Sequence, residues 1–229
     1  MVRNPFAATG GTLPEPLREI KLYAPGAFML DQERAITADD YARLAESNPQ
    51  IQRAAASLRW TGCRYEVRVA IDPFGTEQVD TQLLEQIQGH LHPFRCIGHD
   101  VIVVPAQYVP IRLGLTICVL PDYLQGHVEA ALLDVFSDHV LADGERGVFH
   151  PDNLTFGTDI YLSQLMAAAQ AVTGVESVVV TKLERFLEGP NGELESGLLP
   201  IGPLEVARLD NDPSFPENGV LLLDMRGGR

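Results

Sequence analysis

Apolar and polar positions change period several times along the chain, and each change predicts an element. In AITADDYARLAESNP, Tyr41, Leu44 and Ala45 share one helical face. Thr37 with Asp40 three residues on makes a capping-box start. Asn48-Pro49 ends the helix, because the residue before proline is pushed out of the α region. The period then falls to two. IQRAAASLRW sets Ala54, Ala56, Leu58 and Trp60 in alternation, and RYEVRVAID sets Tyr65, Val67, Val69 and Ile71 against Arg64, Glu66 and Arg68. Thr61-Gly62-Cys63 between the two runs reads as a short hairpin connection. Helical spacing returns from about Gln78 to Leu91, with Val79, Leu83, Leu84, Ile87 and Leu91 on one side.

The second half uses the same parts in another order. VPIRLGLTICVLP places Ile111, Leu113, Leu115, Ile117 and Val119 on one face of a strand. DYLQGHVEAALLDVFSDHV reads as an amphipathic helix, and a loop rich in Gly, Asp, Pro and Asn runs from Ala142 to Thr158. DIYLSQLMAAAQAVTG is a third long helix, with Gly174 placed to cap it. VESVVVTKLERF is a strand, GPNGELESG a turn, and GPLEVARL and GVLLLD further strands. Helix–break–strand and strand–turn–helix each occur twice. The pattern predicts an α+β fold of two small related units, each with helices packed on a mainly antiparallel sheet. Residues 1–30 read as an extended lead-in, 31–98 as the first unit, and 99–229 as the second unit with a C-terminal docking strand. The expected cores are Tyr41, Leu44, Trp60, Val67, Val69, Leu83, Leu84 and Ile87 in one, and Leu115, Ile117, Leu132, Val135, Phe136, Leu165 and Val178 in the other.

Composition narrows the partners. The 229 residues are 45% hydrophobic and 21% charged, with a net charge of −14. That balance disfavours nucleic acid, whose binding rests on Lys and Arg neutralising phosphates, and disfavours anionic membrane surfaces. No apolar run reaches the roughly 18 residues of a membrane helix, and MVRNPFAATGGTLPEP lacks the apolar core of a signal peptide. Cys63, Cys96 and Cys118 are odd in number and widely spaced, which fits a reducing compartment. Cys118 reads as a small buried hydrophobe and Cys63, beside Gly62, as exposed.

Candidate chemistry is sparse. His90 and His92 form an H-x-H pair with His99 nearby, but the pair straddles a predicted helix end and no Cys pair completes a zinc set. FHPDNLTFG offers His150, Asp152 and Asn153, which suit acid–base or metal chemistry or, as turn formers between aromatic anchors, a plain loop. Nucleotide-binding, serine-hydrolase and zinc-protease motifs are absent. The reading is a non-enzymatic protein with no catalytic, cofactor or metal residues. Its alternative is a small-molecule-binding α+β module with a cleft between its units. The segment LDNDPSFPENGVLLLDMRGGR is expected to dock rather than react. Asp210, Asn211, Asp212 and Pro213 should form a tight turn, and Val220 to Leu223 should add a strand, burying at least two of its four side chains. Arg226 and Arg229 should stay outside to meet acidic surface on a neighbour.

Three stretches carry a family resemblance. RAITADDYARLAESNPQIQRAAASLRWTG resembles a segment of baseplate J-like proteins, although Pro49-Gln50 stands where the family pattern has Pro-Gly. GVFHPDNLTFGTDIYLSQLMAAAQAVTGVESVVVTKLERF and GPLEVARLDNDPSFPENGVLLLDMRGGR are similar to later blocks of baseplate assembly proteins of contractile phage-tail-like systems, in the same order. Members are usually longer, and this chain resembles their C-terminal portion. The resemblance implies a structural wedge component of a phage tail-like particle or contractile injection system. It implies contacts with other wedge proteins and with copies of itself in a sixfold ring near sheath or hub proteins, and assembly in the bacterial cytoplasm. Under that reading the candidate subunit-contact residues are Asp210, Asn211, Asp212, Pro213, Glu217, Arg226 and Arg229.

Overall fold

Helix α1 (Ala38–Glu46) starts where the capping box places it. Thr37 Oγ1 accepts from the Asp40 backbone N–H, and the Asp40 carboxylate accepts from the N–H groups of Thr37 (2.9 Å) and Ile36 (3.1 Å). Those two backbone bonds hold the Asp40 pKa down at about 2. The computed structural model describes residues 17, 18, 21, 34–74, 79–141, 144–151 and 153–229, so the predicted lead-in lies almost wholly outside the described residues. Strands β1 (Ile51–Trp60) and β2 (Tyr65–Pro73) form the expected antiparallel hairpin. Its turn is closed by Thr61, whose N–H and hydroxyl both donate to the Arg64 carbonyl. Helix α2 (Thr81–Leu91) begins three residues later than expected, because the Asp80 side chain caps it through Gln82 N–H.

Strand β3 (His99–Pro105) has no counterpart in the sequence reading. It pairs in parallel with β2, in register Tyr65↔His99 to Ile71↔Pro105, giving the sheet order β1-β2-β3. Its buried Val101 and Val103 complete the first core with Tyr41, Leu44, Ile51, Val67, Val69, Ile71, Ile87 and Leu91. The change from one core to the other therefore falls at Ala106 and not after Gly98. Leu83 and Leu84 pack partly against this core. Trp60 does not join it: it is 56% exposed.

The second sheet is organised by the long strand β4 (Gln107–Val119). Its odd-numbered residues from Val109 to Val119 all face the core and are buried. Helices α3 (Gln125–Val135) and α4 (Leu162–Gln170) cover that face through Val128, Leu132, Leu165 and Ala169. Both helices are shorter than their apolar patterns. Gly174 stands beyond α4 at φ +98°, where an added Cβ would lie 2.7 Å from the Tyr123 ring. Strand β5 (Ile160–Tyr161) precedes α4, and β6 (Val175–Arg185) runs antiparallel to β4. The predicted turn after β6 contains the one-turn helix α5 (Glu193–Ser196), and β7 (Leu198–Leu199) then pairs with β5. On the other side of β4 lie β8 (Glu205–Arg208), paired with Gln107–Pro110, and β9 (Val220–Gly227), paired with Arg112–Val119. Both run parallel to β4, so they occupy one edge in succession. Phe136 and Val178 are buried in the second core as expected, and Val135 packs partly against it. Cys118 faces the other side of the sheet, half-buried, with Sγ 3.4 Å from the Glu176 carboxylate.

The fold is α+β, and the units are related in a specific way. Each has a central strand leading into a helix (β2 into α2, β4 into α3). Each central strand has an antiparallel neighbour preceded by a helix (β1 after α1, β6 after α4) and a parallel neighbour on its far side (β3, β9). The sheets are thus mixed and not mainly antiparallel. Strand direction is set by which crossover precedes the strand, and a period-two pattern reads the same in either direction.

Leu132 is fully buried in the second core, and Leu132→Ala should destabilise the protein by about 2–5 kcal/mol in urea unfolding. Removing residues 219–229 should lower the melting temperature, because β9 is internal to the hydrogen bonding of β4. Asp40→Asn should destabilise at neutral pH. The folded pKa is depressed, so this contribution is present above the ordinary carboxylate range and fades as pH falls towards about 2. The gap between variant and wild type in acid titrations should close over that interval.

Candidate contact site at the split edge strand

The break between β8 and β9 is a loop that leaves the sheet edge at Leu209 and returns at Gly219. Its two ends meet: Asp210 N–H donates to the Asn218 carbonyl at 3.3 Å. Gly219 is where it closes. At φ +110°, an added Cβ would stand 2.8 Å from the Arg208 carbonyl oxygen and 2.9 Å from that of Ile111, so only glycine fits. Inside the loop the polar side chains bond backbone, as Asx residues do in turns. Asp212 Oδ1 accepts from Ser214 N–H at 2.7 Å, and Phe215 N–H donates to the Asp212 carbonyl around Pro213. Asn211 adopts φ +52°, a conformation asparagine tolerates, and its Oδ1 accepts from Leu221 N–H at 3.0 Å. That bond ties the loop to the first turn of pairing in β9.

Arg208 anchors the loop to the rest of the molecule. Its Nε donates to both oxygens of Asp210 at 2.9 and 2.8 Å, and Nη2 adds a further contact to the same carboxylate. Asp210 also accepts from Asn218 Nδ2 at 3.0 Å. The Arg208 guanidinium lies over the Tyr108 ring at 5.8 Å, and Tyr108 Oη donates to Asp72 of β2 at 2.8 Å. The loop, the start of β4 and the end of the first sheet are thus joined by one polar chain. Sequence reasoning missed Arg208. The available signal was its i, i+2 spacing to Asp210, which sets both side chains on one side of an extended chain.

The structure brings Asp210, Asn211, Asp212, Pro213 and Glu217 together in this loop. It does not bring Arg226 and Arg229 to them, since both lie at the far end of β9. Arg226 ion-pairs with Asp224 on its own strand at 2.8 Å. Gly228 and Arg229 are held through backbone bonds to the carbonyls of Val119 (3.0 Å) and Tyr123 (2.9 Å). Of the four apolar residues from Val220 to Leu223, only Leu221 is buried. Val220 and Leu223 are half-buried and Leu222 is exposed, because β9 lies at the sheet edge with one face to solvent.

The remaining chemical candidates do not converge. His90 Nε2 pairs with Ser47 Oγ at 3.2 Å, while His99 Nδ1 pairs with Tyr41 Oη at 2.9 Å. Among the described residues no three metal-ligating side chains cluster. Around His150 the loop is built on buried Phe149 and Leu154, with Asn153 Nδ2 donating to the Gly147 carbonyl at 2.8 Å. Asp152 lies outside the described residues. A cleft of about 570 Å³ does open between the units, lined by Asp72, Phe74, Tyr108, Phe149, Leu154 and Arg208. Its tyrosine hydroxyl and guanidinium are engaged by Asp72 and Asp210.

The family model described as the Baseplate J-like central domain matches residues 33–104. That span contains α1, the hairpin, α2 and nearly all of β3. Among solved structures, a chain of the "Cryo-EM structure of the anti-feeding prophage (AFP) baseplate, 6-fold symmetrised" superposes with a TM-score of 0.53 at 15% identity. The match covers 85% of this chain and 42% of that one, so this chain spans less than half of that chain's length. At such identity the likeness is one of fold, and it extends over both units. No curated protein matches the chain significantly. The resemblance to baseplate J-like proteins is borne out by the family model over residues 33–104; beyond that span the likeness is one of fold.

Asp210→Ala should leave the half-buried Arg208 guanidinium without its principal acceptor and release Asn218. The expected loss is about 1–3 kcal/mol, read from urea unfolding. A loss within about 0.5 kcal/mol would mean the loop is not anchored through this pair.

Proposed function

We propose that this chain is a structural subunit of the baseplate of a contractile phage tail-like particle. In this reading it acts as a wedge component that contacts neighbouring wedge proteins and copies of itself in a sixfold ring. The observation that carries the proposal is the fold match to a baseplate chain across both units, together with the Baseplate J-like central domain at residues 33–104. The physical character of the molecule supports it. Among the described residues its sheets have long outer strands, β1 and β6, each paired on one side only. Free edges are a hazard that an assembly removes by covering them. The Tyr108 hydroxyl and Arg208 guanidinium of the cleft are engaged by Asp72 and Asp210, which suits a scaffold more than a reaction centre. No helix among the described residues is long and apolar enough to cross a membrane.

The cleft between the units favours a second reading, a small-molecule-binding module, because its volume falls in the range of ligand pockets. A ligand that binds only the native state raises the melting temperature, so a thermal-shift screen with amino acids and nucleotides tests it. The baseplate reading is tested in the producing bacterium. Without this chain, sheathed particles should fail to assemble. With a tagged chain, electron microscopy should find the tag at the baseplate in multiples of six. Normal particles lacking the chain would rule the proposal out.

A further inference from the structure

The exposed end of the first sheet has the composition of a contact hot spot. Trp60, Tyr65 and His99 are consecutive cross-strand neighbours on β1, β2 and β3. Their rings meet edge to face, Trp60 on Tyr65 at 5.0 Å and Tyr65 on His99 at 5.7 Å. This row continues the face that carries the first core, yet Trp60 is 56% and Tyr65 46% exposed, and Ile97 just before β3 is fully so. Arg59, Arg64 and Arg95 lie at the same end of the sheet, all exposed. Arg64 pairs with Asp100 at 3.0 Å and Arg95 donates to the His99 carbonyl, whereas Arg59 has no carboxylate partner among the described residues. Trp, Tyr and Arg are the residues most enriched where protein contacts concentrate their energy.

The complementary composition occurs on the same chain. In the loop between β8 and β9, Phe215 is 54% exposed between Asp212 and Glu217, and neither carboxylate has a cationic partner among the described residues. The aromatic row lies at one end of β2 and the loop beside its other end. Strand β2 runs from Tyr65, in the aromatic row, to Asp72, which is bonded to Tyr108 beside Arg208 and the loop. At ~3.3 Å per residue that strand alone separates them by roughly 25 Å.

We infer that the Trp60–Tyr65 end of one copy docks on the Asp212–Glu217 loop of the next, giving a head-to-tail contact between copies of this chain. A patch-to-patch two-fold contact would oppose arginine to arginine. The head-to-tail contact joins a cationic aromatic end to an acidic one, on a chain of net charge −14. Contacts of this kind propagate, and they close into a ring when the rotation per copy allows. The inference rests on the baseplate reading, because it supplies that ring with its repeating contact.

Cys63 reports the contact directly, since it is exposed in the hairpin turn between Trp60 and Arg64. Ser214→Cys places a second thiol on the loop. Treated with a short bis-maleimide at high protein concentration, this variant should give a ladder of dimers, trimers and longer species. Wild type should give none. Adding Trp60→Ala or Arg59→Glu should abolish the ladder, with far-ultraviolet circular dichroism and melting confirming the fold. A product that stops at a Cys63–Cys63 dimer, no ladder at all, or a ladder indifferent to both substitutions would overturn the inference. Particle assembly separates the two proposals. If particles require the chain but tolerate Trp60→Ala and Arg59→Glu together, the head-to-tail contact is wrong and the baseplate role stands. If they do not require the chain, the role itself falls.

Discussion

Backbone pairing along β4 is the constraint on which the second unit depends. Each of its flanks is satisfied by strands from distant parts of the chain: β6 on one side, and β8 followed by β9 on the other. A buried strand cannot leave donors and acceptors unpaired without a cost comparable to a lost hydrogen bond at each. Its alternating Val109, Ile111, Leu113, Leu115, Ile117 and Val119 then fix which face receives α3 and α4. A one-residue slip would turn that whole set to solvent. The same strand begins one residue after β3 ends, and Ala106 N–H donates to the Ile71 carbonyl at 3.0 Å. The two sheets are therefore joined at the start of the strand that organises the second.

Charge is used locally. Arg112 meets the buried Glu184 at 3.0 Å across the β4–β6 register and lies over the Phe186 ring at 4.6 Å. Arg185 holds Glu205 at 2.7 Å, and that carboxylate also accepts from Gly202 N–H. The guanidinium keeps the Glu205 carboxyl below its ordinary range, chiefly through the side-chain hydrogen bond. These pairs tie strand ends to loops, where backbone pairing gives out. With many of the described cations engaged internally, the surplus acidic groups are left to the surface. That leaves a basic end such as the one at Trp60 electrostatically distinct from most of its surroundings.

Local chemistry was legible in the sequence and long-range pairing was not. Thr37 and Asp40 announced the start of α1, and the alternation of β2 and β4 placed Val67, Val69, Leu115 and Ile117 in their cores. Strand β3 escaped because its polar start, His99-Asp100, follows a Pro-containing connector and only Val101 and Val103 mark its buried face. Trp60 fits the alternation of β1 but stands in a row that the core does not reach, which no period can reveal. The turn chemistry at Asp210 to Pro213 was readable from residue type. Its anchoring to Arg208, Tyr108 and Asp72 was not, because that chain of contacts joins residues on both units. Arg226 does stay at the surface, where it pairs with an i, i+2 neighbour, Asp224, that is visible in the sequence.

An edge strand made of two separately registered halves has an evolutionary consequence. β8 is held by Gln107–Pro110 and β9 by Arg112–Val119, so the register of neither half depends on how much chain lies between them. Closing a longer excursion adds only about 0.6 kcal/mol per doubling of its length. Residues 212–217 can thus change in sequence and length while the sheet keeps its pairing, provided Asp210, Asn211, Asn218 and the returning glycine remain. The arrangement separates inheritance of the scaffold from divergence of the insert it carries. Related chains can keep one architecture while rewriting a single excursion.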